Sequence, residues 1–137
     1  MAKIILASHG GLSKGMKDSV SMIVGDLAKD IETYSLLPGE NPEDFYQEVF
    51  NEAKESEEQI VILCDIKGGS VHTALSKLAV LDNVMVFSGM NMGLVLDAVM
   101  KGLNGKLELA EANDLIEAAK DGMTVMNGIT SEDDEDF

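Results

Sequence analysis

The chain has 137 residues, with 25 acidic residues against 10 lysines and no arginine, so its formal net charge is −15. A surface this acidic disfavours nucleic acids and anionic membranes as partners, because basic proteins bind both. It favours a basic protein partner. No apolar run reaches the length of a signal peptide or a membrane span, so we expect a cytoplasmic protein.

Short apolar runs alternate with segments of helical periodicity, which is typical of a parallel sheet with helices on both faces. The continuous apolar run Ile60–Cys64 indicates a strand buried on both sides. Asn41 followed by Pro42 has the residue types of a helix start. In chain order the sequence predicts a strand over 3–8, a helix over 14–24, a strand over 31–37, a helix over 42–57, a strand over 59–64, a helix over 70–81, a strand over 83–87 and helices over 94–101 and 109–121.

The chain length suits one domain with a substantial core, and 45% of the residues are hydrophobic. We expect residues 1–129 to form a doubly wound α/β domain with a mostly parallel four-stranded sheet. The apolar run Met123–Met126 predicts an additional short C-terminal edge strand. Consecutive acidic residues over Glu132–Asp136 predict a disordered acidic tail at 130–137.

Three of the predicted strands end in sequences suited to a binding site. His9 ends the first strand and is followed by two glycines. Asp65 ends the third strand and leads into Gly68-Gly69-Ser70, and Gly89–Gly93 follows the fourth. Because the carboxyl ends of parallel strands meet at one edge of a sheet, where ligands bind, we expect these loops to share a crevice.

His9 is the candidate nucleophile, because neutral imidazole has a free lone pair near pH 7 and a carboxylate such as Asp65 can orient its other nitrogen. A structural histidine hydrogen-bonded within a loop is the alternative. Gly68-Gly69-Ser70 is either an ordinary helix-entry turn capped by Ser70 or a cradle of N–H groups for a phosphate. Without arginine in the chain, a phosphate would depend on amides, hydroxyls and Lys67.

The remaining reactive side chains have simpler interpretations. Cys64 lies inside an apolar run and is predicted to be a core residue. His72 is predicted to be a solvent-facing helix residue. Two histidines and one cysteine are too few for a structural zinc site, and the glycine patterns of dinucleotide sites and P-loops are absent from the sequence. No metal or cofactor is therefore predicted.

Four strand-end motifs occur in an order and spacing that resemble a known family. They are Ser8-His9-Gly10, Leu37-Pro38-Gly39-Glu40-Asn41, Asp65-x-x-Gly68-Gly69-Ser70 and Ser88-Gly89-Met90-Asn91-Met92. Together they resemble the enzyme IIA component, mannose/fructose/sorbose family, of the bacterial phosphoenolpyruvate-dependent sugar phosphotransferase system. The resemblance covers about residues 2–126.

The resemblance implies a phosphotransferase with a phosphohistidine intermediate. His9 would receive a phosphoryl group from the histidine-containing phosphocarrier protein and pass it to the IIB component, which phosphorylates sugar entering through the IIC/IID membrane permease. Asp65 would orient His9, and Ser70 would lie beside the phosphoryl group. Gly10, Gly68 and Gly69 are further candidates for binding the phosphoryl group. The resemblance also implies a homodimer in which the C-terminal strand is exchanged between subunits.

The sequence departs from the family pattern beside this site. Lys67 stands where an aromatic residue is common, and Val71-His72 stands where Pro-Phe is common, so the sugar and the partner proteins stay undetermined. The alternatives are a regulatory module with the same fold and histidine, a metal chelatase of tetrapyrrole synthesis, and a flavodoxin-like electron carrier. A chelatase needs additional metal-binding or proton-transferring groups in the crevice, and only His72 is available. A flavodoxin needs aromatic residues that stack on the flavin, and this chain has no tryptophan and two tyrosines.

Overall fold

A computed structural model describes residues 1–128 as four parallel strands with helices on both faces. The elements, in chain order, are β1 (Lys3–His9), α1 (Leu12–Val24), β2 (Glu32–Leu36), α2 (Pro42–Glu55), β3 (Ile60–Cys64), α3 (Ser70–Leu75), β4 (Val84–Phe87), α4 (Met92–Gly102) and α5 (Leu109–Asp121). Short 3-10 segments follow α1 at Gly25–Ala28 and α3 at Ser76–Val80.

The strand order is β2-β1-β3-β4, and every neighbouring pair is parallel. The chain moves outward from β1 to β2 and then crosses back to β3, so the direction of winding changes between β1 and β3. That change opens a crevice at the carboxyl ends of these two central strands. His9 ends β1 there, and Ala7 lies opposite Cys64 in register, which places Asp65 one residue farther along the same edge.

Each face of the sheet carries its own apolar core. Alternate residues of β1 point to opposite sides: Ile4 and Leu6 pack with α1, α4 and α5, whereas Ile5 and Ala7 pack with α2 and α3. All five residues of β3 are buried, as expected for a strand covered by helices on both faces. The predicted doubly wound α/β fold is confirmed, as is the helix start at Asn41, whose side chain accepts a hydrogen bond from the Glu43 N–H.

Two predicted elements differ from the structure. The helix expected over 70–81 is α3 followed by the 3-10 segment Ser76–Val80. The edge strand expected at Met123–Met126 is not confirmed, because within residues 1–128 this segment joins no strand, and Met123 and Val125 are 75% and 90% exposed. A short strand forms only when a neighbour pairs its N–H and C=O groups, and the part of the chain that the structure describes supplies none here. The predicted tail over 130–137 lies outside the described residues.

Candidate active site

The His9 imidazole lies between the loops that leave β1 and β3, and both of its ring nitrogens have a partner. Nδ1 is 2.8 Å from Asp65 Oδ2, and Nε2 is 3.1 Å from Ser70 Oγ. The same Asp65 oxygen also accepts a hydrogen bond from the His9 backbone N–H at 2.8 Å. The His9 side chain is 47% exposed and that of Asp65 is 8% exposed. A buried carboxylate therefore binds an imidazole that is accessible to solvent.

The Asp65 carboxyl is ionised at neutral pH. Burial acts to raise its pKa, but hydrogen bonds from the His9 backbone, the His9 ring and the Ile66 backbone, together with the His9 charge, hold the pKa below its ordinary value. A carboxylate only accepts hydrogen bonds, so the neutral ring carries its proton on Nδ1. Nε2 therefore carries a lone pair instead of a proton, and in this tautomer the Ser70 hydroxyl donates to it.

Buried serines below His9 fix the loop that follows β1. Ser8 Oγ donates to the Gly10 carbonyl at 3.1 Å and accepts from the Ser13 N–H at 2.8 Å. Ser13 Oγ in turn donates to the Tyr34 carbonyl on β2 at 2.9 Å. Both serine side chains are fully buried. Neither serine was predicted as a site residue from the sequence. The position of Ser8, a polar residue at the end of an apolar strand, could have indicated this role.

The glycines expected to bind a phosphoryl group through their N–H groups have other partners. The Gly10 N–H donates to the Leu36 carbonyl at 2.9 Å, and the Gly69 N–H donates to the Ile66 carbonyl at 3.2 Å. The Gly68 N–H donates to His72 Nδ1 at 3.1 Å. In the structure, the N–H groups of these three glycines are therefore engaged within the loops.

Ser70 does not cap α3, which was one of the two interpretations of Gly68-Gly69-Ser70. Gly69, not Ser70, occupies the capping position of α3, and Ser70 is the first helical residue. Its hydroxyl makes no capping hydrogen bond and is directed to His9 Nε2 instead. The structure thus brings together His9, Asp65 and Ser70, the three side chains that the sequence placed in one crevice.

Comparisons with known proteins identify the family of the chain. A family model described as "PTS system fructose IIA component" matches residues 3–119, where PTS is the sugar phosphotransferase system. The chain is also 32% identical over 104 residues to the PTS system sorbose-specific EIIA component of Klebsiella pneumoniae, covering 72% of this chain and 73% of that protein. The chain belongs to this family of IIA components.

Solved structures share the fold of this IIA component. The PTS IIA protein associated with the fucose utilization operon of Streptococcus pneumoniae has a TM-score of 0.73 and 27% identity, covering 90% of this chain and 92% of that one. The mannose/sorbose specific IIA subunit of Enterococcus faecalis has a TM-score of 0.78 and 22% identity, covering 94% and 97%. Because the Enterococcus faecalis subunit is only 22% identical, its similarity shows a shared fold alone.

Membership of the family establishes the general activity. IIA components are phosphotransferases, so this protein takes part in phosphoryl transfer during sugar uptake and interacts with other components of the system, such as IIB. The match assigns the chain to this family rather than to the chelatases or the flavodoxin-like carriers. Within residues 1–128, no helix is long and apolar enough to cross a membrane.

Other groups near the IIA site have structural roles. Cys64 is fully buried, and burial together with the neighbouring Asp65 charge raises the pKa of its thiol to about 12, so it is an unreactive core residue as predicted. His72 is half-buried and accepts a hydrogen bond, which differs from the solvent-facing position expected. In the third strand-end loop, Asn91 caps α4 by accepting from the Leu94 N–H.

Gly69 lies so close to His9 that alanine there should disturb the ring. A Cβ at this position would lie 2.8 Å from Ile66 Cγ2 and 3.2 Å from His9 Cε1. The backbone angles, φ −69° and ψ 166°, suit alanine, so the contact alone causes the effect. We expect Gly69→Ala to displace the imidazole from Asp65 and Ser70, at a cost in stability of about 1 kcal/mol because the exposed Ile66 side chain can yield.

The displacement is measured by NMR of the His9 ring nitrogens, with stability measured by denaturant unfolding. Gly11→Ala is the matched control, because a Cβ there meets nothing within 4 Å. Ring resonances that stay unchanged in Gly69→Ala would show that the loop does not press on His9.

Proposed function

We propose that this IIA component accepts a phosphoryl group on His9 Nε2 from the histidine-containing phosphocarrier protein and passes it to a IIB component. That component then phosphorylates sugar entering through the IIC/IID permease. The observation that carries the proposal is the hydrogen bond between Nδ1 and the Asp65 carboxylate, which leaves the lone pair of Nε2 available on an exposed ring. The proposal implies a cytoplasmic location.

The transfer step follows from this arrangement. The Nε2 lone pair attacks the phosphorus of the donor phosphohistidine, and the donor N–P bond breaks with its electron pair returning to the donor ring. The His9 ring gains positive charge while Nδ1 keeps its proton, and the Asp65 carboxylate stabilises that charge through the 2.8 Å contact. Transfer to IIB is the same step with His9 as the donor.

Ser70 is proposed to change partner during the reaction. Before transfer, its hydroxyl donates to Nε2 at 3.1 Å; once Nε2 bonds to phosphorus, the hydroxyl is free to donate to a phosphoryl oxygen. The N–H groups of Gly10, Gly68 and Gly69 are engaged within the protein, so the phosphoryl group is held by few donors. Weak binding of the phosphoryl group suits a carrier, because a tightly bound phosphoryl group would be transferred to IIB only slowly.

A two-stage transfer experiment tests the proposed function. The wild-type protein is incubated with labelled phosphoenolpyruvate, enzyme I and the phosphocarrier, separated from them, and mixed with IIB components. We expect one label per chain and its movement to a cognate IIB. A regulatory module would accept the label but keep it in the presence of every IIB tested, and a protein that accepts no label would contradict the proposal outright.

We also propose a homodimer built through the C-terminal segment. Beside the free edge of β4, a groove of about 210 Å³ is lined by apolar residues that include Phe87, Leu109 and Ile116. In the described part of the chain, Met123, Val125 and Met126 are exposed. A strand from a second copy, paired with β4, would cover both the edge and the groove.

Truncating the chain after Asp121 should therefore abolish the dimer while leaving the sheet and all five helices intact. Sedimentation velocity of the full and truncated chains, at the same micromolar concentration, measures the change. A full-length protein that sediments as a monomer, or a truncated one that stays dimeric, would refute this assembly.

A further inference from the structure

The backbone N–H and the backbone carbonyl of Gly68 are both hydrogen-bonded to side chains of α3. Its N–H donates to His72 Nδ1 at 3.1 Å, and its carbonyl accepts from Thr73 Oγ1 at 3.3 Å. Gly68 has φ +80°, in the left-handed region that glycine adopts readily. A glycine at the tip of an exposed turn has large conformational freedom, so these two contacts restrain the turn.

The turn restrained in this way determines the position of Ser70 relative to His9. It runs from Asp65, which binds Nδ1, to Ser70, which contacts Nε2, and Gly69 packs against the ring between them. Because Ser70 lies two residues after Gly68, whereas the Asp65 N–H is bound to the Ala7 carbonyl of β1, a movement of Gly68 would shift mainly Gly69 and Ser70. The contact from Thr73 is the longer of the two, so the His72 contact provides the stronger restraint.

We propose that His72 is a positioning residue for phosphoryl transfer: through the Gly68 N–H, its Nδ1 fixes the turn that holds Ser70 Oγ opposite His9 Nε2. His72 makes its contact with Gly68 and not with the reacting ring, so it acts through the turn. Accepting at Nδ1 requires the neutral tautomer with the proton on Nε2. The kinetic part of this inference rests on the proposed function, whereas the hydrogen bond does not.

Two substitutions at His72 distinguish the effect of the acceptor atom from the effect of the ring's size and shape. His72→Asn carries its amide oxygen on Cγ, as histidine carries Nδ1, and so keeps an acceptor for the Gly68 N–H. His72→Phe keeps a ring of similar size without any acceptor. We expect protection of the Gly68 amide against hydrogen exchange in the wild type and in His72→Asn, and loss of that protection in His72→Phe, with all three proteins folded by circular dichroism.

The rate of phosphorylation by the phosphocarrier should follow the same order. A hydrogen bond contributes about 0.5–1.5 kcal/mol, so His72→Phe should be slower by roughly 2- to 10-fold, while His72→Asn stays near the wild-type rate. In a Ser70→Ala background the effect of His72→Phe should largely disappear, because the hydroxyl that His72 positions is absent. This double-mutant cycle is the readout that a merely structural role would not change.

Two results would overturn the inference alone. One is His72→Phe at the wild-type rate, and the other is an equal slowing by His72→Phe with and without the Ser70 hydroxyl. Failure of the wild-type protein to accept any phosphoryl group is a different result, because it overturns the proposed function and the kinetic role of His72 together. Loss of Gly68 protection in His72→Phe but not in His72→Asn would still establish the hydrogen bond in that case.

Discussion

His9→Ala is expected to abolish phosphorylation of the protein by the phosphocarrier. The imidazole is half-exposed and has an unprotonated Nε2 while Nδ1 is bound to Asp65, and alanine leaves no nitrogen there to accept the phosphoryl group. Label on the wild type should be acid-labile and base-stable, as expected of a phosphoramidate. His9→Ala should carry no such label after prolonged incubation.

The chain offers a matched control for this experiment because it contains only two histidines. His72→Asn leaves His9 as the single histidine and should be labelled to the same final extent as the wild type. Acid-labile label that persists in His9→Ala would show that another residue accepts the phosphoryl group.

Asp65→Asn is expected to slow phosphorylation by roughly 10- to 100-fold. The carboxylate accepts from the His9 backbone and ring through one oxygen and from the Ile66 N–H through the other. The asparagine amide has a single acceptor oxygen, so it can accept either from His9 or from the Ile66 N–H. It also carries no negative charge to stabilise the His9 ring after transfer. A hydrogen bond to a charged group contributes about 1.5–3 kcal/mol, and about 1.4 kcal/mol is tenfold in rate. Single-turnover labelling measures the loss, and an unchanged rate would contradict the role of Asp65.

The same variant should change the acid stability of the protein. The pKa of Asp65 is lowered in the folded state, so its stabilising effect is fully present above the unfolded value of about 4 and is lost as the pH falls through the folded value. Asp65→Asn should be less stable at neutral pH and should lose less stability on acidification. Denaturant unfolding at several pH values measures this, with Asp97→Asn, an exposed carboxyl on α4, as the control.

The sequence predicted the parts of the site that depend on sheet topology. His9, Asp65 and Ser70 meet because parallel strands end at one edge, and the alternation of apolar runs with helical segments was enough to predict that edge. The roles of the glycines and of His72 depend on loop torsion angles. Apolar periodicity carries no information about these angles, so the inward-turned N–H groups of Gly68 and Gly69 could not be predicted.

Two predicted elements differ from the structure, and each difference has its own physical reason. The apolar pattern over 70–81 is shared by an α-helix and a 3-10 segment, so the change of helix type after Leu75 left no signal in the sequence. The apolar run at Met123–Met126 predicted a buried edge strand, but Met123, Val125 and Met126 are exposed, and no strand within residues 1–128 pairs with this segment. In the proposed homodimer its partner strand would come from a second copy, which local sequence patterns do not describe.

In the proposed mechanism, Asp65 binds the N–H at Nδ1 of His9 and leaves Nε2 for the phosphoryl group. The most direct test is nitrogen-15 and phosphorus-31 NMR of the wild-type protein after phosphorylation by the phosphocarrier, which shows which ring nitrogen bears phosphorus. The 2.8 Å contact between Nδ1 and Asp65 Oδ2 predicts phosphorus on Nε2 with a proton retained on Nδ1. Phosphorus on Nδ1 would contradict the account.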